Sequence, residues 1–491
     1  MNLMRKAISV ILILTFVFTL AGCGKSYRDA YIYFELLEPP VSLDAQTAYS
    51  DSELLIVRNI YEGLLREDEN GKIVNGACEA YEKQGLTYTF KLRDKLTWSN
   101  GKALTAKDFV YGLRRAVDPK TAAPFAHLLY CIEGAEAIAN GADPATLGVE
   151  APDKKTVKIT LCREDAEFLK TLTMSVAMPC NKDFFDKCIG KYGLKSEFVI
   201  SNGSYSITKW NPDDFGIRLY KNERYNGEFE ANNAAVFFSC VDDEAQLLRL
   251  SEKNSDMAFI PPTELEGVTD ELTLCSVQNK CWMLSISRDF SPAVRRAFAM
   301  SFSGDVYKAS LQKGFTVARS LYPEILGVGE QTDGVGLCAY DVQGAFSIMS
   351  GEISGMEDKK FPQTKLYYYN ADGIKPMVTA VVGHWQQKLG TYINVEESNS
   401  IAALQNELYD KTLPFAIFPV MAKVASLSDY TRSLGQLTYD AAGLQTVLTS
   451  DNSLIPIAFE STSVAHRKTL TNIKMFSDNG YIDFSFIVKD E

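Results

Sequence analysis

The sequence predicts a mixed α/β protein with several sheets, and three observations carry that expectation. Segments such as Thr87-Tyr88-Thr89-Phe90-Lys91-Leu92 alternate polar and apolar residues, as half-buried strands do. Others, such as Ser52 to Leu65, space their apolar residues three or four apart, as amphipathic helices do. Strands and helices alternate without a strict βαβ rhythm, and neither an internal repeat nor a low-complexity linker interrupts them. A hydrophobic fraction of 46% with 11% aromatics belongs to a globular chain.

Taken in order, Tyr31-Ile32-Tyr33-Phe34 reads as a strand, and Pro39-Pro40 leads into an extended Ser42-Leu43-Asp44. The helix predicted over 52–65 takes Ser52 as its N-cap. Asp68-Glu69-Asn70-Gly71 is a hairpin turn, since no downstream glutamate completes a twelve-residue calcium loop. After the Thr87–Leu92 strand and a Ser99-Asn100-Gly101 turn, Thr105 to Asp108 opens a helix with Phe109, Val110, Leu113 and Val117 on its apolar face. Lys155 to Leu161 and Gly203 to Trp210 read as strands, and Pro292 to Phe302 as a helix. A tyrosine-rich strand over 364–370, a helix over 374–389 and a strand beginning at Asn394-Val395-Glu396 follow.

The first residues carry an address. Arg5 and Lys6 precede an apolar run, Ala7 to Leu20. As a helix that run spans roughly 21 Å, short of a ~30 Å hydrocarbon core, so it fits a signal peptide (1–22) and not a membrane span. It ends in Leu20-Ala21-Gly22-Cys23, which resembles the lipobox of bacterial lipoproteins. That resemblance implies diacylglycerol on the sulfur of Cys23 and an anchor at the extracytoplasmic face of the cell membrane. Two acyl chains hold where one is marginal.

The formal net charge of −12 has no basic stripe set against it, which argues against nucleic acid as a partner. Ten cysteines leave nine besides Cys23, an odd number without a CxxC pair; buried, inert thiols are the expectation for most. With only three histidines, His127, His384 and His466, neither a metal nor a cofactor is expected. Neither G-x-S-x-G nor H-E-x-x-H occurs, and the chain is expected to be no enzyme, although abundant carboxylates leave a glycosidase-like pair open.

One long stretch carries a resemblance. Asn59-Ile60-Tyr61-Glu62-Gly63-Leu64-Leu65 is followed by Gly85-Leu86-Thr87-Tyr88-Thr89-Phe90-Lys91-Leu92-Arg93-Asp94 and Leu96-Thr97-Trp98-Ser99-Asn100-Gly101. Leu104-Thr105-Ala106-Lys107-Asp108-Phe109-Val110-Tyr111 closes it, and Ile200-Ser201-Asn202-Gly203-Ser204-Tyr205 and Ser291-Pro292-Ala293-Val294-Arg295-Arg296-Ala297 recur later. This resembles the oligopeptide- and dipeptide-binding solute-binding lipoproteins of ABC transporters, strongly before residue 300 and patchily after it. The resemblance implies a two-lobed, periplasmic-binding-protein-like α/β fold of type II, with an additional domain in the N-terminal lobe and a ligand enclosed by hinge closure. By analogy, lobe I comprises 24–60, 199–283 and 468–491, the additional domain 61–198, and lobe III 284–467. The implied partners are a peptide or other small solute and an ABC permease, with the protein itself a monomer.

The resemblance also implies ligand-contacting positions: Tyr49, Ser50, Asp51, Tyr111, Phe259, Trp282, Met283 and Phe459. Core packing competes for Phe259 and Met283, and plain solvation for Asp51. The chain departs from the pattern between 415 and 430. Ala422 stands where the peptide binders carry a tryptophan, and no aspartate stands near Ala425 to pair with a peptide ammonium. Asp429, four residues late, can substitute only if Lys423 to Ser428 loops out. The alternative expectation is therefore a degenerate member acting as a surface sensor or interaction lipoprotein.

Overall fold

The computed structural model describes residues 31–211, 216–240, 245–328, 338–371, 373–408, 410–424, 426–434, 449–475 and 481–490. The expected leader and Cys23 lie outside them. Along the N-terminal half run β1 (Tyr31–Glu35), α1 (Asp51–Ile60), β2 (Cys78–Gln84), β3 (Thr87–Leu92), α2 (Ala106–Val117), β4 (Val149–Glu150) and β5 (Thr156–Thr160). Then come β6 (Tyr205–Lys209), β7 (Gly216–Lys221), β8 (Ala235–Ser239), β9 (Met257–Ile260) and the long β10 (Leu272–Ile286). The second half adds α3 (Pro292–Met300), β11 (Phe315–Val317), β12 (Thr364–Tyr369), α4 (Ile374–Leu389), β13 (Ile393–Ser398), β14 (Phe415–Met421), α5 (Leu427–Ser433) and β15 (Leu454–Arg467).

Eleven strands join in one sheet path, β13-β12-β14-β10-β15-β9-β1-β8-β7-β6, with β11 on the side of β15. Two lobes hang on that path. Strands β6 to β9 with β1 belong to the first, where β1 lies parallel to both β8 and β9. Strands β11 to β14 belong to the second. Among the described residues, the strands that pass between them are β10 and β15. The lower part of β15, Ser463–His466, pairs with β9, and Ala458–Glu460 pairs with β11. On β10, Lys280–Ile286 pairs with β14. The β10–β15 ladder is irregular at the passage: its register steps past Asn279 on β10 and past Ile457 on β15. The spare backbone groups find other partners. Asn279 O accepts from Ala422 N at 2.9 Å, and Ile457 O from Ala318 N and the Tyr307 hydroxyl at 3.1 and 2.7 Å.

The cores follow from strand alternation. On β10, Trp282, Leu284 and Ile286 enter one lobe III cluster with Phe298 and Trp385, while Cys281 and Met283 enter another on the opposite face. The N-terminal lobe has one continuous core from Ile32 to Ile487, which also takes in β3, α2 and the small sheet β2-β3-β5-β4. Gly112 is required where α2 meets residues 178–180, since a Cβ there would come 2.3 Å from Met178 O. All nine cysteines among the described residues are free thiols, and burial pushes Cys78, Cys131 and Cys180 up to about 12.

One helix differs from expectation at both ends. Ser50, not Ser52, caps α1: its hydroxyl accepts from Glu53 N, and the Glu53 side chain returns to the Ser50 amide. Ser52 is instead buried, bonded to Glu38 O. The helix stops at Ile60, five residues early, and the Ile60 carbonyl accepts from Asn202 N and Gly203 N of a distant segment. The remaining expected elements form within a few residues of their predicted bounds.

Candidate functional site

A cavity of about 770 Å³ lies between the lobes. Its N-terminal wall is positioned by Glu53. That buried carboxylate accepts from four backbone amides, those of Val41, Ser42, Tyr49 and Ser50, at 2.9–3.1 Å. The extended segment before α1 is thereby fixed, and Tyr49 stands at its end with half its surface open. The Tyr49 ring stacks on Phe125 (centroids 5.9 Å apart, planes at 27°), and His127 lies two residues beyond. Behind this wall, Arg115 forms a buried pair with Asp44 and donates to Gln46 Oε1 at 2.7 Å.

The floor comes from the two passing strands. Glu460 is 6% exposed. It pairs with Lys280 Nζ at 2.5 Å and accepts from Trp282 Nε1 at 2.8 Å, so both carboxylate oxygens are satisfied. The far wall is a turn, Met421 to Val424, followed by α5. Ser426 caps that helix through a bond from Asp429 N at 3.2 Å.

Contacts cross from wall to wall. Lys423 Nζ reaches Asp51 Oδ1 at 3.2 Å and lies 5.1 Å from the Tyr49 ring centroid. Burial and the neighbouring Asp51 carboxylate raise the pKa of Glu38 beside them. His127 Nε2 lies 2.9 Å from Asp429 Oδ1, an ion pair whenever the imidazole is protonated. Glu167 accepts from both Ser426 Oγ and Leu427 N at 2.8 Å, so a carboxylate of the N-terminal half caps the first turn of α5. Arg432 faces the Tyr130 ring at 5.8 Å, and Val424 is buried against the N-terminal core.

Of the residues singled out from sequence, Tyr49, Trp282 and Asp429 line this cavity. Asp429 reaches the wall from within α5, and Lys423 lines the same cavity. Ser50 is occupied as a cap, and Asp51 sits beside the cavity held by Lys423. Four others are elsewhere. Tyr111 lines a separate hollow of about 550 Å³ beside Asn181 and Lys182, its hydroxyl pushed up to about 12 by burial. Phe259 packs edge-on against Phe34 at 5.1 Å, and Met283 and Phe459 lie in a lobe III core. Sequence reasoning passed over His127, Lys280, Lys423, Arg432 and Glu460. Lys280 and Glu460 are 180 residues apart and meet only through strand pairing. A further hollow of about 940 Å³ lies within lobe III alone, against Tyr307 and Arg319. Among the described residues no group of three or more His, Cys, Asp or Glu is placed to hold a metal ion, and no helix is long and apolar enough to cross a membrane.

Comparison with known proteins matches residues 72–439 to the family described as bacterial extracellular solute-binding proteins, family 5 middle. The chain is 30% identical over 254 residues to a dipeptide-binding protein of Lactococcus lactis, covering 50% of this chain and 46% of that one. It is also 30% identical over 239 residues to a probable deoxycholate-binding periplasmic protein of Escherichia coli, covering 48% and 44%. The chain thus spans about half the length of these two relatives. Among solved structures, Haemophilus influenzae OppA in complex with the peptide RPPGFSPFR superposes with a TM-score of 0.74 at 19% identity, over 94% of this chain and 99% of that one.

Proposed function

This chain belongs to the bacterial extracellular solute-binding proteins of family 5, and from that premise we propose that it captures a peptide or peptide-like solute between its lobes for an ABC permease. In this reading it works outside the cytoplasm as a monomer, tethered through a diacylglyceryl group on Cys23. The observation that carries it is the interlobe cavity, about 770 Å³ in volume and bridged from wall to wall by Lys423–Asp51, His127–Asp429 and the Glu167 cap of α5. Ligands of this size favour concave sites between lobes that close by hinge motion. Tyr49, Trp282 and Asp429 are the sequence-derived residues assigned to solute contact; His127 and Arg432 join them. The lobe crossover is assigned to Asn279 on β10 and Ser461–Thr462 on β15, a few residues before the boundaries after 283 and 467 that the sequence expectation used.

The two relatives carry the names of a dipeptide and of a bile acid, so solute chemistry varies within the family. A screen of di- to pentapeptides by thermal unfolding tests the reading. A solute present at a hundred times its Kd stabilises the folded protein by about 2.7 kcal/mol, a clear rise in Tm. No rise with any peptide would remove peptide capture. It would favour the second reading, a surface sensor or interaction lipoprotein. The observation behind that reading is Ala422, fully buried where the peptide binders carry a tryptophan. Membrane fractionation of a Cys23→Ala variant tests the anchor: the variant is expected in the soluble fraction, and unchanged membrane retention contradicts the tether.

A further inference from the structure

The ionised groups around the cavity do not balance as the rest of the chain does. Over its whole length the protein carries 62 Asp and Glu against 50 Lys and Arg. The cavity reverses that excess, with Lys280, Lys423 and Arg432 set against Asp429 and Glu460. His127 adds a further positive charge when protonated.

Pairing sharpens the asymmetry. Glu460 has one oxygen on Lys280 and the other on the Trp282 indole. Asp429 lies 2.9 Å from His127 Nε2 of the opposite wall, an ion pair when the imidazole is protonated. Lys423 is held by Asp51. Arg432 faces only the Tyr130 ring, and no carboxylate among the described residues pairs with it. Arg432 is exposed and lines the cavity from α5.

Resting on the solute-binding reading above, we infer that this cleft selects its solute by a carboxylate, clasped by Arg432, and not by a free ammonium. A planar guanidinium presents two parallel donors that match a carboxylate, and it keeps its charge at every physiological pH. An incoming ammonium meets the reverse situation. Glu460 already serves Lys280 and the Trp282 indole, and drawing Asp429 away gives up its 2.9 Å contact with His127 across the walls. A solute with an anionic end and a neutral or blocked amino end therefore suits the site, whether an N-acylated peptide or another small carboxylic acid.

The test uses one tripeptide in four forms: free acid, N-acetyl acid, free-amine amide and N-acetyl amide. Affinities are measured by titration calorimetry at pH 7.5 with the full-length protein. Both acids are expected to bind, acetylation changing Kd less than threefold. Both amides are expected to bind at least tenfold more weakly. In Arg432→Gln the acids should fall to the level of the amides. Arg432→Lys, which keeps the charge and loses the fork, should lie between. Circular dichroism establishes that both variants fold. Equal binding of all four forms, preference for the free-amine amide, or an Arg432→Gln variant that still prefers the acids would each overturn the inference while leaving solute capture intact. Binding of none of the four would strike the peptide reading itself, and this inference with it.

Discussion

The two walls of the cleft are built differently. The N-terminal wall is finished within its own lobe. Glu53 gathers four amides, Ser50 closes the capping box, and Arg115 with Asp44 braces the segment from behind. The lobe III wall is a turn and a helix of seven residues. Ser426 caps that helix from within, but the other first-turn acceptor, Glu167, comes from across the cleft. Short helices are marginal without tertiary support, so this wall leans on the facing lobe for part of its capping. One side is braced within its own lobe, and the other is braced from across the cleft.

Three measurements would break or sharpen that contrast. Glu53→Ala strands four amides at once, and each buried unsatisfied donor costs about 1–3 kcal/mol before water enters. A loss of about 3 kcal/mol in urea-unfolding stability is expected; a loss under 1 kcal/mol would mean that the N-terminal wall is no more fixed than its neighbour. The second concerns Lys411 of lobe III, which is 3% exposed and bonded to Ser453. Burial pulls its pKa down to about 8, against the weaker opposing pull of Asp451. The folded state then binds fewer protons than the unfolded chain between about pH 8 and the ordinary lysine value near 10.4. Stability from this group therefore rises with pH across that window, and the penalty is full below it. Lys411→Met should be more stable relative to the parent at pH 7 than at pH 10, by up to roughly 3 kcal/mol. A gap that stays constant with pH would contradict the shift. The third is Glu167→Ala, expected to weaken solute binding about tenfold, the equivalent of roughly 1.4 kcal/mol. Its unfolding midpoint without solute should barely move. Lost stability with unchanged affinity would place the cap in the resting fold and dissolve the contrast.

The same division governs what could be read from sequence. Elements fixed by local pattern, such as β3, α2 and α4, formed close to their expected bounds. Even the misplaced cap was legible, because Ser50-Asp51-Ser52-Glu53 is an S-x-x-E capping box and Ser52 lacks a glutamate three residues on. Tyr49 and Trp282 were readable from the family resemblance, and Asp429 as the late candidate for its missing aspartate. Phe259 and Met283 went to the core, the ordinary fate of large apolar side chains on central strands. The Glu460–Lys280 pair and the meeting of His127 with Asp429 depend on strand register and lobe approach, which no local periodicity encodes.

Phe459 was expected at the ligand and Glu460 was not, and the irregular β10–β15 ladder explains the exchange. Across a ladder a residue lies on the same side of the sheet as the partner directly opposite it, and its neighbours one step away lie on the other. On an unbroken ladder continuing from Ser276–Ser463, Lys280 would stand opposite Phe459, and Glu460 would point to the other side. The extra residue at Asn279 slides the pairing by one step, and the extra residue at Ile457 slides it back. Beyond both, every side chain keeps the side it would have had anyway. Within the short patch between them a phenylalanine has been traded for a carboxylate. Two offsetting insertions can thus rewrite the chemistry of a binding floor while leaving the hydrophobic interiors of both lobes untouched.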